Sequence, residues 1–182
     1  MANNLHKLTV MEATNKLASR AIIRVSPTLA TSAYTADDVL FTGLEIPNAV
    51  LENGGSSMLV GAFLLDQSDQ ANIDIDFYFT EESTAFGSQQ ATANIAKDDM
   101  KAIGLCGAVK CVGSHATSGG TIDNVRVHQL LCYDGASVNN MPLTLLQAKS
   151  GSTSVYCHAI ADNVTPDYDA ADDLQLILHI EY

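Results

Sequence analysis

Ile73-Asp-Ile-Asp-Phe-Tyr-Phe79 alternates large apolar residues at 73, 75, 77 and 79 with Asp74, Asp76 and Tyr78. Successive side chains leave a strand on opposite sides, so this period of two predicts a half-buried strand with carboxylates on its outer face. The alternation returns at Leu174, Leu176, Leu178, Ile180 and Tyr182, interleaved with Gln175, Ile177, His179 and Glu181, which predicts a last strand built into a sheet. Val155, Cys157 and Ala159 alternate with Ser154, Tyr156 and His158, and Val125 and Val127 with Asn124, Arg126 and His128. Both segments read as strands with one wet face, the histidines on it.

Met58-Leu-Val-Gly-Ala-Phe-Leu-Leu65 is apolar on both faces and bounded by Asn53-Gly-Gly-Ser56 and Asp66-Gln-Ser-Asp69. It suits a central strand between turns and is short for a buried helix. Further short apolar runs at 21–25, 39–41, 102–109 and 143–147 are each punctuated by Gly, Pro, Asn or Ser, the two glycines of 102–109 marking bends or bulges. The expected fold is all-β: an antiparallel β-sandwich, jelly-roll-like, occupying 20–182. Thr92 to Lys101 is expected to add a short helical insertion. Residues 1–19 are expected to form an N-terminal arm in which Leu5 to Leu17 fits either helix or strand.

The chain has 182 residues, 47% hydrophobic and 16% charged, a composition that excludes disorder. Nine Lys and Arg against 21 Asp and Glu give a net charge of -12, which repels phosphate backbones and anionic membranes. No apolar run approaches the roughly 20 residues of a membrane span, and the first ten residues carry no signal-peptide core. The expectation is therefore a protein made in the cytosol that binds neither nucleic acid nor membrane. Its charge is segregated: residues 1–24 carry a net +3, residues 25–96 hold ten acids and no Lys or Arg, and the remainder is net -5. A basic arm on an acidic body points to two surfaces with different duties, although a one-sign surface also serves solubility alone.

Motifs of catalysis are not found: there is no nucleophile elbow, phosphate-cradling loop, H-E-x-x-H or EF-hand loop, and Gly54-Gly55 reads as a turn. Cys106, Cys111, Cys132 and Cys157 lack the paired C-x2-C spacing of zinc sites, so they are expected to be buried reduced thiols; a Cys106–Cys111 disulfide stays open as an alternative. Asp66 and Asp69, Asp74 and Asp76, and Asp167, Asp169, Asp172 and Asp173 read first as solvated acidic edges that oppose edge-to-edge pairing. Structural calcium is the secondary reading, and glycoside hydrolysis is disfavoured in a chain without Trp. The expected catalytic, metal and cofactor sets are empty.

Val25-Ser-Pro-Thr-Leu29, Tyr34 to Leu40, Ile46-Pro-Asn-Ala49, Gly54-Gly55, Leu59 to Asp66, Ile73 to Phe79 and Ile95 to Gly104 together resemble a group of small tailed-bacteriophage virion proteins. The resemblance spans roughly Val25 to Gly104. It implies a structural protein of the particle: first a head decoration (cement) protein on the capsid outer surface, binding the major capsid protein as a homotrimer, and second a tail- or fibre-associated host-binding module. In the first case Leu5, Leu8, Val10 and Met11 are expected to anchor the arm, with Lys7, Lys16, Arg20 and Arg24 steering it to an acidic capsid surface. In the second, Tyr34, Tyr133, Tyr156 and Tyr168 are the candidate recognition aromatics. A jelly-roll metalloenzyme is a third reading, for which only His128 and His158 lie on suitable facing strands.

Overall fold

The computed structural model describes residues 19–70, 73–113, 117–118, 125–133, 138–140, 143–162 and 164–182. In chain order its strands are β1 (Arg20–Val25), β2 (Val39–Ile46), β3 (Ser56–Asp66), β4 (Ile75–Thr80), β5 (Leu105–Cys111), β6 (Thr117–Ser118), β7 (Arg126–Gln129), β8 (Cys132–Tyr133), β9 (Val138–Asn140), β10 (Thr144–Gln147), β11 (Val155–Ala161) and β12 (Leu174–Glu181). One helix, α1 (Lys97–Ala102), precedes β5.

The pairing is nested. β1 pairs with β12, β2 with β11, β3 with β10 and β4 with β5, all antiparallel, as if the chain were one long hairpin. Two more pairings, β12 with β3 and β11 with β4, roll that hairpin into two sheets. One runs β1-β12-β3-β7-β6 with β10 also on β3; the other runs β2-β11-β4-β5. This is an all-β sandwich in jelly-roll order, as the period-two segments predict.

Burial follows the alternation closely. In β12 Leu174, Leu176, Leu178 and Ile180 are all buried, while the residues between them are half-exposed. In β4 Ile75, Phe77 and Phe79 point into the same core, and Phe41 of β2 packs on Phe77 with centroids 6.2 Å apart. β3 is central, flanked by β12 on one side and by β7 and β10 on the other. The two sheets approach closely where β5 meets β10: a Cβ on Gly107 would stand 2.5 Å from Thr144 Cγ2, so only glycine permits that approach.

Three expectations need correction. The helical insertion starts later than Thr92, because Thr92 bridges Asp38 and Ala93 N–H donates to Asp37 C=O, which ties this stretch to the start of β2. The helix ends at Ala102, and Gly104 beyond it, with a φ of 67°, lets the chain reverse and its carbonyl accept from Glu81 N–H. The face of β7 also differs from prediction, whereas Val155, Cys157 and Ala159 of β11 are buried as expected. His128 is opposite Leu64 in the β3 register and is 1% exposed, whereas Val127 is half-exposed; a strand's partner sets its register, and a one-residue difference exchanges the faces. His158, expected on a wet face, is fully buried. Finally, Tyr34 and Tyr168 are each 1% exposed and meet edge to face with centroids 6.1 Å apart, so neither is a surface recognition group.

Candidate functional site

Of the residues expected to contact a partner, Leu5, Lys7, Leu8, Val10, Met11 and Lys16 lie outside the described residues. Arg20 and Arg24 are exposed on β1, the edge strand of the six-stranded sheet. Arg20 pairs with Glu181 of β12 at 3.0 Å. Tyr182 N–H donates to Ser19 C=O at 2.9 Å, which fixes the hydrogen-bonding phase of the pair. Residues 21, 23 and 25 therefore turn their backbone groups toward β12, and Arg20, Ile22 and Arg24 turn theirs to the other edge, unpaired among the described strands. That edge combines outward backbone donors and acceptors with two guanidinium groups and a half-exposed Ile22, the elements needed to accept a further strand.

On the opposite sheet, Asp76, Tyr78, Ala108, Val109, Lys110 and Asp162 line a cleft of about 440 Å³. Lys110 Nζ stands 3.4 Å from Asp76 Oδ1 and also pairs with Asp162. Burial raises the Asp76 carboxyl, against the pull of Lys110. For Lys110, partial burial opposes the charge, but the two carboxylates outweigh it and hold the ammonium above its ordinary value. The alternating β4 carboxylates predicted as a wet face thus include one whose charge is tied to a strand-crossing ion pair. An acid–base catalyst needs a carboxyl able to exchange its proton with substrate. Asp76 Oδ1 instead faces the Lys110 ammonium at 3.4 Å, and the cluster reads as a clasp between β5, β4 and the end of β11.

His158 lies at the centre of a buried network that no sequence motif announces. Gly43 N–H donates to Nδ1 at 3.1 Å, so Nδ1 is the acceptor and the proton sits on Nε2. Thr42 Oγ1 accepts from Phe86 N–H at 3.0 Å and donates to Nδ1 at 2.7 Å. Nε2–H donates to Thr80 Oγ1 at 2.9 Å, and that hydroxyl donates onward to Glu82 C=O at 2.7 Å. The ring stacks on Phe86, centroids 4.2 Å apart and 11° from parallel. Burial pushes the imidazole down to about 4, so it is neutral near pH 7. Both ring nitrogens are satisfied by the protein, leaving neither to bind a metal.

His128 presents the opposite case: both ring nitrogens and the Tyr168 hydroxyl are buried with no hydrogen-bond partner among the described residues. Burial lowers the His128 pKa, opposed by Asp66. Asp66 is itself buried rather than on the solvated edge expected for it. Its Oδ1 accepts from Ser68 N–H at 2.9 Å and Ser68 Oγ at 2.7 Å, and its Oδ2 accepts from Gln70 N–H at 3.0 Å, so it shapes the turn after β3. Asp69 pairs with Arg126 at 2.5 Å, and Asp74 Oδ1 accepts from Gly113 N–H at 2.9 Å. Asp173 Oδ2 accepts from Ala170 N–H at 2.9 Å. Most of the acidic clusters legible in the sequence thus tie loops to strands. Among the described residues no group of three His, Cys, Asp or Glu side chains is arranged to hold a metal ion.

The four cysteines are free thiols. Cys111 and Cys157 are buried, and burial raises both thiols far above their ordinary range, as expected of structural cysteines. Cys106 is half-buried, and its sulfur accepts from Gln147 N–H at 3.4 Å across the β5–β10 approach. No protein-family model matches the chain, and no curated protein matches it.

Proposed function

We propose that this chain is a non-enzymatic bacteriophage structural protein, a capsid decoration protein that binds the major capsid protein and stabilises the shell, acting as a trimer. One observation carries the reading: the jelly roll presents an arginine-bearing edge strand, β1, directly after the basic, apolar-studded residues 1–18. A rigid body with an open edge and an adjoining basic segment is what attachment to an acidic protein lattice requires. Contacts repeated over that lattice give avidity without a large individual interface. The burial of Tyr34 and Tyr168 favours this reading over a host-binding module, since two of its four recognition candidates are core residues.

The test is co-sedimentation of the full chain with shells assembled from the major capsid protein alone. Leu5→Asp combined with Leu8→Asp is expected to abolish co-sedimentation while far-UV circular dichroism remains unchanged. Lys16→Glu with Arg24→Glu is expected to weaken it in a salt-dependent way. Undiminished attachment of both variants would overturn the proposal.

A further inference from the structure

β3 is apolar on both faces, yet the sandwich has only two layers. Leu59, Ala62 and Leu64 fill the core side. On the other side Met58, Phe63 and Leu65 are half-exposed, where a two-layer antiparallel sandwich ordinarily presents polar residues to water. The register continues this outer face sideways. Ile177 of β12 lies opposite Phe63, and the Phe63 ring packs on His179 with centroids 5.3 Å apart. At its two lateral margins stand Ile22 of β1, 52% exposed, and Leu145 of β10, 53% exposed.

The charge on this face is equally unusual. In a chain with 21 acids, the strands of the six-stranded sheet contain two, Asp66 and Glu181. Asp66 is buried, and Glu181 is paired with Arg20. The outward side of the other sheet carries Asp76 and Asp162 with Lys110. Copies bearing a net charge of -12 repel one another, so they approach at least cost through the face that lacks free carboxylates. Four strand positions about 4.8 Å apart and eight residues at about 3.3 Å each give a patch of roughly 19 by 26 Å. That is on the order of 500 Å², more than half of the roughly 800 Å² per partner of a standard interface.

We infer that the outer face of the β1-β12-β3-β10 sheet is the surface on which copies of this chain pack against one another, turned toward the axis of the oligomer. The most exposed apolar side chains occupy opposite margins, so the contact sets Ile22 of one copy near Leu145 of the next. Such a contact is heterologous, and at the threefold rotation of the proposed trimer it closes into a ring. The inference deepens the trimer element of the proposed function and rests on that element alone.

Static light scattering on the full chain tests it. The unmodified protein is expected to have three times the monomer mass. Ile22→Glu with Leu145→Glu is expected to reduce it to a monomer with unchanged far-UV circular dichroism. Leu105→Glu, at a half-exposed position on the other sheet, is expected to leave the trimer intact. Should the double variant lose its fold, Ile22→Glu on the edge strand carries the same expectation alone. A monomeric unmodified protein, retention of the trimer by the variants, or equal dissociation by Leu105→Glu would each overturn the inference. Shell co-sedimentation is read separately, so a failed trimer and a failed capsid attachment are distinguishable.

Discussion

Lowering the pH from 7.5 to 4 should remove a defined part of the folding stability through His158. In the unfolded chain its imidazole has the ordinary value of 6.5, and in the folded protein burial pushes it down to about 4. The unfolded state therefore binds a proton between these values that the folded state refuses. Stability from this group is complete above pH 6.5 and falls as the pH drops toward 4. At 1.36 kcal/mol per pH unit, the loss amounts to about 3 kcal/mol. The geometry supplies the cause: a proton on Nδ1 would meet Gly43 N–H, which already donates there at 3.1 Å. The assay is urea unfolding at pH 7.5, 6.5, 5.5 and 4.5, comparing the unmodified chain with His158→Gln. The variant lacks a titrating ring but shares every other ionisable group. The unmodified protein should be the more stable at pH 7.5, and its advantage should shrink progressively below 6.5. An advantage that stays constant from pH 7.5 to 4.5 would refute the reasoning, as would a His158 ring signal that titrates near 6.5 by NMR.

Three further predictions concern buried groups. Tyr34 Oη accepts from Ala30 N–H at 2.8 Å and Gln89 Nε2 at 2.9 Å and donates to Leu40 C=O, so Tyr34→Phe should cost about 1–3 kcal/mol in chemical denaturation. Tyr168→Phe removes a buried hydroxyl that has no partner among the described residues and should be neutral or stabilising by the same assay, despite equal burial. Gly107→Ala should cost about 1–3 kcal/mol, because the added methyl meets Thr144 Cγ2. Thr144→Ser, which removes that methyl, should recover most of the loss, and an unchanged unfolding midpoint for Gly107→Ala would contradict the close approach of β5 and β10.

The strands were legible because each is long enough for a period of two to be read, and burial enforces that period. Ile73 to Phe79 and Leu174 to Ile180 alternate because one side of each faces the core. Met58 to Leu65 was readable as central for the same reason, being apolar on both sides. The short segments were less legible. Arg126–Gln129 is four residues with two valines, and its sequence does not say which face turns inward; the pairing of His128 with Leu64 decides that. The span 92–96 has helical composition, but its backbone is committed to Asp37 and Asp38.

Local periodicity thus determined by itself the all-β class and the inward faces of β4 and β12. The excess of acid, and its absence from residues 1–24, are equally properties of the sequence alone. Tertiary structure decided the rest, because the relevant partners are far apart in the chain. Thr42 and Thr80 meet His158 across separations of 116 and 78 residues, which turns an expected surface imidazole into a neutral core group. Lys110 joins Asp76 to Asp162 in the same way. Only the nested pairing places Ile22, Phe63, Ile177 and Leu145 on one face, since a sheet assembles its surface from strands that the chain visits in a different order.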